Sequence, residues 1–192
     1  RETHRPDGEP VNDLVRIPLD GSSDPERVAG GHDFFASPRI SPDGITLAYL
    51  TWDHPNMPWN GTTLWKVEVG GTPSWVAGGP RESIFQPEWS PEGTLHFASD
   101  RTGWWNLYRQ GNDGVEPVFE INGDVGACQW VFRLRRYGFL ADGSLAAVAT
   151  TPQGPLLLIA GADGELRHLD TPGSWLPPLM AVGDGAVAMV AG

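Results

Sequence analysis

The segment Trp52–Gly61 carries the densest group of side chains in this chain that could take part in chemistry. Its sequence, Trp-Asp-His-Pro-Asn-Met-Pro-Trp-Asn-Gly, combines indole rings with a carboxylate, an imidazole and an amide. A second segment, Asp100–Trp105, contributes a guanidinium group and further indole rings. Because aromatic rings and arginine anchor many interfaces and pockets, this composition favours recognition. The candidate recognition residues are Trp52, Asp53, His54, Asn56, Trp59, Arg101 and Trp104.

Catalytic and metal-binding chemistry finds little support in the sequence. The Gly-x-Ser-x-Gly motif, which holds a nucleophilic serine on a strained turn, is absent. Ser41 and Ser90 lie in repeated turn sequences, where serine serves as a turn former. The histidines are scattered without a His-x-x-x-His pair, Cys128 has no partner cysteine, and the Asp-Gly pairs are isolated, so neither a zinc nor a calcium site is predicted. We expect no catalytic residue, no metal and no cofactor in this chain.

Composition restricts the partners and the compartment. The net charge is −11, and without a cluster of lysine and arginine a nucleic-acid partner is not expected. Arg133, Arg135 and Arg136 are the one basic group, and we interpret them as solvent-facing. A single cysteine excludes an internal disulfide and is typical of a reducing compartment, so we expect a cytoplasmic location, while a signal peptide ahead of residue 1 stays open. No apolar run is long enough to span a membrane, so no membrane partner is expected.

The elements that must position the candidate residues repeat along the chain. The turn sequence of residues 38–44 returns at 87–93, an offset of 49, and Val-Ala-Gly-Gly at 28–31 returns at 76–79, an offset of 48. Ala-Asp-Gly at 141–143 is a degenerate third copy of the turn. A period of this length indicates a repeat architecture. Alternating apolar strands follow each turn, and about four strands per repeat are typical of one blade of a β-propeller.

We therefore predict an all-β fold, a partial β-propeller that forms one domain over residues 1–192. The prediction has three whole four-stranded blades, at about 35–79, 83–120 and 129–170, and half-blades at 12–29 and 175–191. The half-blades could join to close a four-bladed propeller, or they could be the ends of an open arc cut from a larger one. We favour the open arc, in which strands 14–17 and 186–189 do not pair. Its free strand edges could then support self-association.

Strand order also predicts where the candidate residues lie. The connection between the second and third strands is longest in the first whole blade, because Gly44 and Leu64 are 20 residues apart whereas Gly93 and Leu107 are 14 apart. In an antiparallel meander these connections leave from one face, opposite the Ser-Pro-Asp-Gly turns. That face would therefore carry both aromatic segments. The competing interpretation is that the tryptophans pack between blades and the polar residues only cap turns.

A resemblance to a known family rests on three stretches of sequence, residues 37–44, 47–59 and 98–109. They resemble the propeller of the prolyl oligopeptidase family of serine peptidases, in its bacterial acylaminoacyl-peptidase and dipeptidyl-aminopeptidase-like branch, and the resemblance extends over nearly the whole chain. It implies an α/β-hydrolase domain as partner and short peptides as ligands, with the propeller gating access to the active site. No hydrolase motif is present in these residues, so no catalytic residue carries over and we expect the chain alone to cleave nothing.

A free-standing module that binds a protein or peptide, on a TolB-like or WD-type propeller, is the alternative function. The Ser-Pro-Asp-Gly turn alone does not separate the two, because many propellers share it. A small four-bladed glycan hydrolase or lectin has less support, since spacing singles out no pair of carboxylates.

Overall fold

The computed structural model describes residues 1–170, 176, 180–183 and 185–189. In this part of the chain the regular structure consists of strands, with no helix, and so none with the length and apolarity to cross a lipid bilayer. In chain order the strands are β1 (Glu2–Thr3), β2 (Val11–Arg16), β3 (Glu26–Gly30), β4 (Phe34–Ile40), β5 (Thr46–Trp52), β6 (Thr63–Glu68), β7 (Ser74–Gly78), β8 (Ile84–Trp89), β9 (Leu95–Ser99), β10 (Asn106–Gln110), β11 (Val115–Phe119), β12 (Tyr137–Phe139), β13 (Leu145–Thr151), β14 (Gly154–Ala160), β15 (Leu166–Leu169), β16 (Met180–Gly183) and β17 (Ala186–Met189).

Three four-stranded antiparallel sheets form the body of the molecule. They are β4-β5-β6-β7, β8-β9-β10-β11 and β12-β13-β14-β15, which we name blades I, II and III. Strands adjacent in sequence pair in each blade, as in the register of β5 with β6 from Thr46 opposite Glu68 to Thr51 opposite Thr63. Each blade is thus a simple meander, and the predicted all-β partial propeller is confirmed.

The two ends of the described chain lie in separate sheets. At the start, β1 joins β2 and β3, so this sheet has one strand more than the two that were predicted within 12–29. At the end, β16 pairs with β17, and the rest of the predicted half-blade, such as Trp175 and Asp184, lies outside the described residues. Among the described strands, β2 pairs with β1 and β3, and no sheet joins the two ends into a closed ring.

The turns between first and second strands have the conformation that their sequence demands. In blade I the Ser41 hydroxyl donates to the Asp43 carboxylate at 2.5 Å and accepts the Thr46 N–H at 2.8 Å. Gly44 has φ of 76°, a left-handed conformation that favours glycine. In blade II Ser90 accepts the Thr94 N–H in the same way. Both serines are buried in their turns, which supports their interpretation as turn formers.

The first strands of blades I and II, which we call the inner strands (β4 and β8, with β12 in blade III), share a β-bulge that the sequence did not reveal. Ser37 and Gln86 are 49 residues apart, have left-handed φ angles of 51° and 48°, and mark a shift of register in β4 and β8. The buried Gln86 side chain accepts the Arg136 N–H at 2.7 Å and donates to the carbonyl of Tyr137 at 2.7 Å. It thereby joins blade II to the inner strand of blade III.

The hydrophobic cores lie between successive sheets. One core links blades I and II through Leu50, Leu64, Ile84, Leu95 and Phe97. A second links blades II and III, and its members include Leu107, Val125, Tyr137, Val148 and Leu158.

The interpretation of Arg136 as solvent-facing was wrong. Its side chain is 4% exposed and donates to the carbonyls of Val148 and Asp124 and to the hydroxyl of Thr150. Burial lowers the pKa of Arg136 to about 10. The residue is a structural tie within blade III rather than surface decoration.

Candidate functional site

The connections that leave one face of the propeller hold the candidate residues, and we name this surface the loop face. It comprises residues 31–33, 53–62, 79–83, 100–105 and 120–136. The first, third and fifth of these join one sheet to the next, and the second and fourth join the second and third strands of blades I and II. In a meander both kinds of connection lie at the same end of the strands, as the contacts below confirm.

Asp53 ties the long loop of blade I to the preceding connection. Its carboxylate lies 2.9 Å from Nδ1 of His32 and accepts the N–H of Asp33 at 2.7 Å. In return, the Asp33 carboxylate accepts the N–H of His54 at 2.8 Å. Burial acts to raise the pKa of Asp53, but the hydrogen bonds from His32 and Asp33 outweigh it, and the pKa lies below its ordinary value. Asp53 therefore fixes the loop as an ionised acceptor.

Trp52 and His54 surround the ring of Phe34, the first residue of β4. The Trp52 and Phe34 rings are stacked, with centroids 5.2 Å apart and planes 15° apart. His54 meets Phe34 edge to face at 5.0 Å. Aromatic pairs of this geometry add about 0.5–1.5 kcal/mol beyond their buried area. This cluster forms one wall of the loop face.

Trp59 meets a residue that the sequence did not single out, Trp130. Their ring centroids are 4.2 Å apart, although Trp130 is still 75% exposed. Val131 and Phe132, which follow it in the connection from blade II to blade III, are also exposed, at 61% and 67%. The signal was the run Gln-Trp-Val-Phe at 129–132, but an apolar run ordinarily indicates a buried strand. Its exposure depends on where the 120–136 connection lies in space.

These aromatic residues border an apolar groove of about 470 Å³. We name it the aromatic groove, and it is lined by Phe34, Trp52, His54, Asn56, Met57, Pro58, Gln129, Trp130, Val131 and Phe132. Predicted residues Trp52, His54 and Asn56 line it directly, and Trp59 supports it through Trp130. Asn56 also donates to the carbonyl of Pro80 at 3.3 Å, which holds the groove against the 79–83 connection.

Arg101 lies in the shorter segment and is engaged within the chain. Its guanidinium donates to Glu82 at 2.7 Å and lies 4.9 Å above the ring of Tyr108. Trp104 is half-buried in the same turn. Neither residue lines the aromatic groove, and of the other predicted residues Asp53 and Trp59 are also outside its lining.

Ser83 joins the two aromatic segments. Its hydroxyl donates to the carbonyl of Pro58 at 2.9 Å, and its N–H donates to the carboxylate of Asp100 at 2.7 Å. Burial raises the pKa of Asp100, against the effect of this hydrogen bond. The loop of blade I and the turn of blade II therefore flank one residue, as neighbours on the same face.

The loop face presents mainly apolar surface around the aromatic groove. The described residues hold no group of three potential metal ligands. The groove offers aromatic rings and aliphatic side chains, with an imidazole and amides at its border.

The fold and this face define a partial propeller with an exposed apolar groove, and similarity to solved structures makes the class of protein more specific. The chain matches a propeller of the prolyl oligopeptidase family of peptidases. It is similar to puromycin hydrolase at 33% sequence identity and a TM-score of 0.84, over 95% of this chain and 30% of that one. A puromycin-hydrolyzing peptidase of Mycobacterium tuberculosis is 29% identical with a TM-score of 0.82, over 94% of this chain and 29% of that one.

More distant likeness extends to the fold alone. TolB from Acinetobacter baumannii is 16% identical with a TM-score of 0.57, over 85% of this chain and 40% of that one. No family model matches the chain, and no curated protein matches it. The chain spans about 30% of the length of the puromycin hydrolases that it matches.

Proposed function

We propose that this chain works as the non-catalytic propeller of a serine peptidase that hydrolyses short peptides or aminoacyl amides. The observation that carries the proposal is the 33% identity to puromycin hydrolase over 95% of the chain. In this role the propeller gates substrate access and contributes to peptide binding. Its protein partner is an α/β-hydrolase domain of the same parent protein.

We further propose that the loop face contacts the hydrolase domain or lines the cavity between the two domains. Support comes from the exposed apolar side chains Trp130, Val131, Phe132 and Met57, which are contiguous around the aromatic groove. Contiguous exposed apolar surface marks interaction sites, because leaving it in water is unfavourable. The turn that holds the candidate residues Arg101 and Trp104 lies beside this surface. Asp100 in that turn accepts the N–H of Ser83, which contacts the loop of blade I. The cytoplasmic location stays a prediction from the single cysteine.

The proposal that this chain is the non-catalytic part of a serine peptidase is tested in the intact parent protein. A fluorophosphonate should label one serine, and peptide mapping should place that serine outside the present 192 residues. The physical reason is that an acyl-transfer nucleophile needs a positioned base, whereas Ser41 and Ser90 are bound in turns. Labelling of a serine within this chain would overturn the assignment.

The test of the loop face compares Trp59→Ala and Arg101→Ala with Trp75→Ala in the parent. Trp75 is exposed on β7, away from the aromatic groove, and serves as the matched control. We expect the first two variants to raise KM about tenfold or to weaken docking of the two domains, and the control to change KM less than about twofold, as for other surface substitutions. If kinetics stay unchanged while Tm falls, the aromatic residues serve packing within the propeller.

A free-standing binding module remains the second candidate, supported by the likeness of fold to TolB. That likeness is at 16% identity, so the puromycin hydrolase matches favour the peptidase. A parent protein that lacks a labelled serine but retains a peptide or protein ligand on the loop face would favour the module.

A further inference from the structure

Three charged residues meet on the inner strands, away from the aromatic groove. Arg39 lies on β4, Glu88 on β8, and Arg135 just before β12. Nε of Arg39 and Nη2 of Arg135 each lie 3.6 Å from the same oxygen, Oε2 of Glu88. At this distance neither guanidinium is hydrogen-bonded to the carboxylate. Glu88 therefore attracts two cations from neighbouring blades without saturating the donors of either.

The position of the group is set by sheet topology. Strands β4, β8 and β12 are each the edge of their sheet and pair on one side only, with β5, β9 and β13. In a propeller the first strand of each blade lies at the central channel. The three charged residues therefore lie at the inner side of the arc of blades, and each of their side chains is partly exposed.

The donors of this group are in excess over its acceptors. In the part of the chain that the structure describes, Nε of Arg135 is the one buried side-chain nitrogen or oxygen without a hydrogen-bond partner. A buried donor without an acceptor is unfavourable, and an ordered water or ion would satisfy it. Two guanidinium groups against one carboxylate also leave one positive charge at this point of a chain whose net charge is −11. An anion with hydrogen-bond acceptors would neutralise this charge and accept from the exposed donors.

We propose that Arg39 and Arg135 bind the carboxylate of a short peptide at the inner side of the arc of blades, with Glu88 holding the two guanidinium groups in place. The choice of a peptide carboxylate rests on the proposed function. The planar guanidinium donates paired hydrogen bonds that match the two oxygens of a carboxylate. Side-chain exposures of 28% for Arg39 and 39% for Arg135 leave part of each guanidinium side chain accessible to solvent. The site would favour peptides with a free carboxyl end over their amides.

The experiment is an NMR titration of the 192-residue chain with N-acetyl-triglycine and, separately, with N-acetyl-triglycine amide. Acetylation removes the amino charge, so the two probes differ only in the carboxylate. We expect the acid to bind about tenfold more tightly than the amide, as one charge-assisted hydrogen-bonded contact supplies. Equal affinity of the two probes, or no binding of the acid, would overturn the proposal.

Single substitutions of arginine test whether the acid binds at the proposed site. Arg39→Gln and Arg135→Gln should each weaken binding of the acid about tenfold. Arg109→Gln removes the same charge from an exposed pair with Glu116 on the surface and should change it less than about twofold. An equal loss in all three variants would mean that only the net charge matters and would contradict the site. Should Arg135→Gln not fold, Arg135→Lys keeps the charge without the planar fork and should still weaken binding.

This titration needs no hydrolase domain. If the acid does not bind but the parent carries a phosphonate-labelled serine, the carboxylate site is wrong and the peptidase assignment stands. If the acid binds and no serine is labelled in the parent, the site stands and the assignment fails.

Discussion

In blade I the residue at the bulge of the inner strand is Ser37, and in blade II it is Gln86, with nearly the same φ. The backbone has been repeated, but only in blade II does the side chain reach the next blade, through Arg136 and Tyr137. For Ser37 the structure gives no side-chain hydrogen bond within the described residues. The repeat thus sets the geometry of the strand, and the side chain at the bulge decides whether two blades are tied together.

The same two blades differ on the loop face. The loop after β5 runs from 53 to 62 and reaches the neighbouring connections through Asp53 and Pro58, whereas the turn after β9 runs only from 100 to 105. On the opposite face, the turns at Ser41 and Ser90 have nearly the same hydrogen bonds. Repetition is retained where local backbone conformation demands it and lost on the loop face, as is common for loops on a rigid scaffold.

The largest difference that we expect between the two blades is the one between the stabilities of the variants Gln86→Ala and Ser37→Ala. Gln86→Ala leaves the N–H of Arg136 and the carbonyl of Tyr137 without this partner in buried surroundings, and should lower the free energy of unfolding by about 3 kcal/mol. Ser37→Ala has the same backbone conformation and should cost less than about 0.5 kcal/mol. Urea unfolding of both variants measures the difference. Equal losses would mean that the strained backbone, not the side chain, is what matters.

These examples show which features sequence reasoning could reach. The turns, the strand order and the long loop of blade I follow from local residue types and spacing, as Gly44 and the position of residues 53–62 demonstrate. The bulge at Gln86 has no such local signal, because the left-handed φ belongs to an ordinary strand residue and not to a glycine or a turn sequence.

Two further features depended on long-range contacts. Arg136 belongs to a basic run that resembles exposed surface, yet its acceptors come from residues 12 to 14 positions away in sequence. Trp130 belongs to an apolar run that resembles a buried strand, yet it lies exposed on Trp59, 71 positions earlier. Composition alone predicts the wrong burial for both residues, because their burial depends on how the connection between blades II and III packs.

Substituting the turn serines sharpens the comparison, with a smaller expected effect. Ser41→Ala and Ser90→Ala each remove an acceptor for a threonine N–H and should each lower the free energy of unfolding by about 1 kcal/mol. Ser41→Ala should also raise the pKa of Asp43, because the hydrogen bond from Ser41 is the main cause of its lowered pKa. Unfolding in urea and NMR titration of the carboxylate measure the two effects. A neutral Ser90→Ala would show that the turns are alike in sequence only.

The smallest expected effect concerns His96 on β9, which takes the place of Ala48 in blade I, since each is two residues after the threonine that ends the turn. The His96 ring is buried against Phe139 of blade III, at 4.9 Å and edge to face. Burial lowers the pKa of His96 below its ordinary value of 6.5, although its contact with the carbonyl of Thr94 acts in the opposite direction. The folded state therefore binds the proton less readily than the unfolded state, so this residue makes stability fall as pH drops through 6.5 towards the folded-state pKa. The slope is at most about 1.4 kcal/mol per pH unit, the limit for one proton.

His96→Ala, which restores the residue of blade I, should remove this pH-dependent component while lowering stability at pH 8 through the cavity that it leaves. Urea unfolding at intervals from pH 8 to pH 5 gives the two curves, and the other titrating groups cancel in their difference. Parallel curves would show that His96 stays neutral, or becomes charged, equally in both states, and that the exchange of alanine for histidine between the blades is a packing change without electrostatic consequence.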